Sequence, residues 1–130
     1  MADALNDDEP LVYSLRICER AAREVTSIFI RLAELVSEEY AIRWDIELRL
    51  AISTLSTHPR RCTLAPEVFK AEVRHLIFPR SAGKRTYRIL FTITGEEPNS
   101  NEPPTVTVLF VRDAVSPIKR SLLRDIESLD

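Results

Sequence analysis

The sequence predicts an α+β domain: a helical hairpin packed on a mostly antiparallel four-stranded sheet, in the order β-α-α-β-β-β, with a further helix at the C-terminus. Three observations carry this. Apolar residues recur every three to four positions over two adjacent stretches between residues 19 and 56, the period of amphipathic helices. Three later stretches are rich in Val, Ile, Phe and Tyr with period-two character. The chain is 130 residues long, enough for one domain that buries a core without metal or disulfide support.

Residues 1–10, "MADALNDDEP", read as a flexible acidic tail. They lack the basic start and apolar core of a signal peptide, and no apolar run reaches the roughly 18 residues of a membrane helix, so a cytoplasmic protein without membrane contact is expected. Residues 11–130 form the single domain. "LVYSLRIC" (11–18) sets Tyr13, Leu15 and Ile17 against Ser14 and Arg16, as a strand does. From Glu19 the period changes, and Ala22, Val25, Phe29, Leu32 and Val36 outline a helix to about Ser37. A second helix runs from about Glu39 to Ser56, with Ala41, Trp44, Leu48, Ala51, Ile52 and Leu55 on its buried stripe and Pro59 beyond its end. The joint is short, so the two should pack as an antiparallel hairpin. Trp44, spaced between Ala41 and Leu48, is expected in the core rather than stacked on a base.

Strands are expected at about 69–78, 85–94 and 105–112. The first, "FKAEVRHLIF", does not alternate cleanly, as if covered on both faces, and the terminal helix is the natural second cover. "TGEEPNSNEPP" should be an exposed loop. Ser116 and Pro117 open the terminal helix, 116–129, whose Ile118, Leu122, Ile126 and Leu129 form a stripe. That stripe should shield the sheet or a twin subunit, which leaves a homodimer open.

The net charge of −2 conceals a split. From His58 to Thr94 eight basic residues face only Glu67 and Glu72, giving +6 there and −8 elsewhere. Solvated loop charges would explain this, and so would a surface for an acidic partner. Arg88 is the sharpest case, a permanent cation in a strand between apolar neighbours; it pairs with a carboxylate of the fold or receives an anion. His58 should place a favourable charge at a helix C-terminus. Cys18 and Cys62 have no metal-site spacing and are expected as separate thiols. Two histidines 17 residues apart make no ligand set, and only two glycines, Gly83 and Gly95, leave no phosphate loop. Neither metal nor cofactor is expected.

The run "YAIRWDIELRLAISTLSTHPRRCTLAPE" carries the pattern Ala-x-x-Trp-x-x-x-Leu-x-x-Ala-Ile-x-x-Leu-x-x-x-Pro, followed in order by "VRHLIF", "YRILFTI" and "VTVLFVRDA". With these the chain resembles the RelE/ParE toxin superfamily over about residues 11–115, and lies closer to ParE. The resemblance implies the toxin of a bacterial type II toxin–antitoxin pair, with growth inhibition and plasmid stabilisation as its expected effects and a short antitoxin as its partner. RelE-like members cleave mRNA on the ribosome; ParE-like members bind DNA gyrase without hydrolysis. Arg88 matches the phosphate-stabilising arginine of the nucleases, and Arg74 and His75 would be its companions in an endoribonuclease. Against this, Asp113 and Val115 stand where the family often has His or Arg, no tyrosine follows Tyr87, and Arg112 and Arg120 are out of register. Binding through Arg74, Arg80, Lys84, Arg85 and Arg88 is therefore the favoured expectation. An endoribonuclease and a degenerate member that only binds its partner are the alternatives.

Overall fold

The computed structural model describes residues 12–67, 69–78 and 86–114. The tail, the terminal helix expected at 116–129, and Arg80, Lys84 and Arg85 lie outside the described residues. The elements are β1 (Ser14–Ile17), α1 (Glu19–Leu35), α2 (Glu38–Ser53), β2 (Arg74–Phe78), β3 (Tyr87–Thr94) and β4 (Thr105–Asp113), with single 3-10 turns at Thr54–Ser56 and Pro59–Arg61. The mixed sheet has the order β1-β4-β3-β2. β1 runs parallel to β4, and the other two pairings are antiparallel.

The hairpin is set by its caps. Cys18 stands at the N-cap of α1, its sulfur accepting from the Ala21 N–H at 3.5 Å, and its thiol donates to the Leu109 carbonyl at 3.3 Å. Ser37 caps α2 through the Tyr40 N–H at 3.0 Å, and Glu38 and Glu39 place negative charge at the positive end of the helix dipole. Only Val36 and Ser37 separate the helices, so the second packs back along the first.

The buried stripe of α2 is the expected one: Ala41, Trp44, Leu48 and Ile52, with Leu55 beyond. That of α1 is displaced by about one position. Ala21, Ile28 and Leu32 are buried and Val25 and Phe29 partly so, whereas Ala22 and Val36 face solvent. Ile28 and Phe29 are adjacent and both apolar, so hydropathy alone did not say which leads the stripe. The hairpin covers Leu76, Phe78, Tyr87, Ile89, Phe91, Val106, Val108 and Val111 of the sheet. Trp44 meets Tyr87 edge-on, with centroids 5.4 Å apart and planes at 63°.

Strand β2 starts at Arg74 rather than at residue 69. The residues before it fold back, with the Ala65 N–H donating to Val73 O at 2.8 Å and the His75 N–H to Thr63 O at 3.1 Å. This returning segment is a second cover: Ala65, Val73 and Phe69 pack on Leu90, Leu109 and Phe110. A bulge between Leu90 and Phe91, whose partners are Phe110 and Val108, leaves Leu109 as the extra residue. Leu109 and Phe110 both join the second cluster, which accounts for the unbroken buried run Val108–Val111 in place of alternation.

Pro59 is buried, and His58 before it is left-handed at φ 49°. The cation that meets the end of the second helix is Arg61 rather than His58. Its guanidinium donates to the carbonyls of Thr54, Thr57 and His58 at 3.3, 3.0 and 3.0 Å.

Candidate functional site

Strand β3 points Arg88, Leu90 and Thr92 to the face away from the hairpin, with His75 and Ile77 beside them on β2; Arg74, level with Phe91, starts β2 on the other face. Arg88 is buried, and its fork meets Glu67 in two parallel bonds, Nη1 to Oε2 at 2.6 Å and Nη2 to Oε1 at 2.7 Å. Its Nε donates to His75 Nδ1 at 3.2 Å, and His75 Nε2 lies 3.1 Å from Thr63 Oγ1. A guanidinium can only donate, so Nδ1 is an acceptor and the imidazole proton is assigned to Nε2. The electrostatics agree with this reading. The Glu67 carboxyl is held below its usual range by Arg88, while burial, then the Arg88 charge, lowers the His75 pKa. The anion for Arg88 is thus supplied by the chain itself, from the returning segment, and the basic nitrogen of His75 is occupied.

Arg74 lies nearby and is also engaged. It donates to Glu72 Oε1 from Nη2 at 2.9 Å and to the Cys62 carbonyl from Nη1 at 2.6 Å. Glu72 also receives Arg60 at 3.0 Å, and Arg60 reaches on to Glu96, which accepts the Tyr13 hydroxyl at 2.7 Å. This chain of contacts ties the residue before β1, the Pro59–Arg61 turn, the start of β2 and the loop after β3. Arg74 lowers the Glu72 pKa, Arg60 lowers that of Glu96, and Glu96 raises that of Arg60; burial, then Glu96, raises that of Tyr13.

Beside this network a cleft of about 450 Å³ opens on the sheet, floored by Thr92, Thr107 and Leu109 and walled by Arg16, Arg60, Glu72 and Arg74. Arg16, on β1, is exposed and makes no ion pair with a described residue. The edges of the sheet differ. The outer side of β2 is closed at its start, over Val73–His75, by Thr63–Ala65. On β1, the Ser14 and Cys18 N–H groups donate to the Pro104 and Val108 carbonyls. Leu15 and Ile17, which alternate with them, turn their backbone groups outward, and no described residue bonds to them.

Of the sequence-predicted residues, His75 and Arg88 share this face and Arg74 stands at the start of β2 level with Phe91, each with an internal partner. Glu67 and Glu72, the partners of Arg88 and Arg74, and Glu96, the partner of Arg60, were not singled out. The signal for the first two was available: they are the only acids among eight bases between residues 58 and 94. Glu96 sits in the segment expected to be an exposed loop, and no sequence pattern links it to Arg60, 36 positions away. Arg112, opposite Arg88 in the register, lies 4.0 Å from Glu24, whose carboxyl also accepts the Val111 N–H at 3.0 Å. Burial raises the Glu24 pKa. Among the described residues no group of His, Cys, Asp and Glu is arranged to hold a metal ion, and no helix is long and apolar enough to cross a membrane.

No protein-family model matches the chain, and no curated protein is similar to it in sequence. Among solved structures, a chain of the chromosomal ParDE TA system from P. aeruginosa superposes with a TM-score of 0.60 at 17% identity. The match spans 78% of this chain and 96% of that one. The chain therefore shares the fold of that ParDE-system chain.

Proposed function

We propose that this chain is the toxin of a bacterial type II toxin–antitoxin pair, that it acts in the ParE manner by binding DNA gyrase, and that a cognate antitoxin neutralises it. The observation that carries the binding mode is the Glu67–Arg88–His75 cluster. RNA cleavage requires a free cation for the phosphate and a free base for the 2′-hydroxyl. Here the arginine is held in a bidentate ion pair, and the His75 nitrogen that could accept a proton faces that arginine at 3.2 Å. The likeness to a ParDE chain supports the toxin–antitoxin reading through fold alone.

The antitoxin adds a strand to the open β1 edge at Leu15 and Ile17 and lays acidic residues toward Arg16 and the adjoining cleft. Arg80, Lys84 and Arg85, with Arg74 and Arg88, supply further positive charge to the antitoxin or the target. Controlled expression in bacteria tests the whole reading. Arrested replication with SOS induction and intact mRNA is the expected result; cut mRNA with arrested translation would replace it with the endoribonuclease, and absence of growth arrest at any level with a partner-binding, inactive member. The antitoxin placement has its own test. Proline at Leu15 should weaken antitoxin binding by 10-fold or more, about 1.4 kcal/mol, whereas proline in the already closed β2 edge segment at Leu64 should not.

A further inference from the structure

Helix α2 carries a second apolar row that lies outside the core of the described residues. Ile42, Ile46 and Leu50 recur at i, i+4 and i+8 and are 45, 54 and 62% exposed. They lie opposite Ala41, Trp44, Leu48 and Ile52, so they point away from α1 and the sheet. A solvent-facing row of this kind is a contact surface in search of a partner. Its flanks say which. On one side stand Asp45 and Arg49, paired at 3.0 Å. On the other stand Arg43 and Glu47, exposed and without an ion pair among the described residues. Each flank thus holds one cation and one anion, spaced by one helical turn.

We infer that α2 pairs with α2 of a second copy of this chain, antiparallel, about a two-fold axis through Ile46. This inference is independent of the toxin reading. An isologous contact must be complementary to itself. With the axis at Ile46, Ile42 packs against Leu50 of the partner subunit and Ile46 against Ile46 of the partner subunit. Arg43 then comes level with Glu47 of the partner subunit, and Arg49 with Asp45 of the partner subunit, each displaced by only about 3 Å along the axis at 1.5 Å per residue. Long side chains span that offset. Antiparallel helices also oppose their dipoles. The row is short beside a standard interface, so the dimer is weak and fast to dissociate.

Sedimentation of the full chain between about 1 µM and 1 mM, the range accessible to weak pairs, should show a monomer–dimer equilibrium. Ile46→Asp should abolish it; the position is exposed, so an unchanged melting curve identifies the loss as one of contact. Two charge variants then test the flanks. Arg43→Glu/Arg49→Glu makes both flanks acidic, and Asp45→Lys/Glu47→Lys makes both basic; each alone should be monomeric, and mixing them should restore the dimer. Orientation is read by cross-linking: Ile46→Cys should form a disulfide-linked dimer that the parent, with Cys18 and Cys62, does not. Ile42→Cys and Leu50→Cys should each fail alone and cross-link when mixed. A monomer at every concentration, a dimer indifferent to Ile46→Asp, or failure of the charge variants to associate on mixing would overturn the assignment. Cross-linking of Ile42→Cys to itself would overturn the antiparallel packing, and occlusion of the row by a bound antitoxin in place of a second copy would overturn the choice of occupant.

Discussion

Replacing Glu67 by alanine should be the most damaging single change on the open face of the sheet. The Arg88 side chain is 8% exposed and that of Glu67 is 22% exposed, so the substitution leaves a desolvated guanidinium facing neutral His75. Removing one partner of a buried pair costs about 3–5 kcal/mol. Solvent reaches the Glu67 side of this pair and water can move toward the vacated fork, so the expected cost falls at or below the bottom of that range, about 2–3 kcal/mol. The double variant Glu67→Leu/Arg88→Met removes both charges and should lie within about 1 kcal/mol of the parent. Urea denaturation of the parent, both single variants and the double variant gives the coupling directly. The acid limb provides an independent check. Because Arg88 holds the Glu67 pKa below the ordinary glutamate value of 4.5, the pair contributes fully above pH 4.5 and its contribution fades as pH falls through the depressed value. A Glu67→Ala cost under about 0.5 kcal/mol would refute the reasoning, because an interaction that small belongs to exposed pairs.

His75 gives the same linkage in a different window. Its folded pKa lies below 6.5, so stability from the neutral imidazole is complete above pH 6.5 and is lost as pH falls through the lowered value; His75→Gln should flatten that slope in denaturation curves. Trp44→Ala should cost about 3–5 kcal/mol by chemical denaturation, since the indole is 5% exposed and packs edge-on to Tyr87. Glu96→Gln should cost no more than about 1 kcal/mol despite severing Arg60 and weakening the Tyr13 contact, because Arg60 is 51% exposed; a larger loss by the same assay would show that the network acts as one unit.

The fold was legible where periodicity is enforced by one buried face. The stripe of α2 could be read because Trp44 and Leu48 leave one way to face the core, whereas the extra apolar row of Ile42, Ile46 and Leu50 adds nothing that a fold prediction can use. The stripe of α1 slipped because Ile28 and Phe29 are neighbours. The start of β2 was misplaced because "FKAEV" has strand-like composition while its residues serve as cover: the Ala65–Val73 hydrogen bond and the contacts of Phe69 belong to a fold-back with no local sequence signature.

The candidate site was legible in its cations and opaque in its anions, for a physical reason. An arginine in a strand is conspicuous against apolar neighbours, whereas a glutamate in a loop is ordinary, and an ion pair is a statement about both. The question posed by Arg88 therefore had two answers that the strand could not separate, and Glu67, 21 positions away in a segment without regular structure, decides it. The same consideration governs the charge imbalance of the basic stretch. A regional charge of +6 does not imply a field of that strength at the surface: Arg60, Arg74 and Arg88 are bound to Glu96, Glu72 and Glu67, and one of those three acids lies outside the stretch. The described positive charge that remains available to a partner on this face is Arg16, which came from the expected first strand and was no part of the basic stretch. Recognition by this face therefore depends on where cations are left unpaired, and charge counting along the chain overstates it.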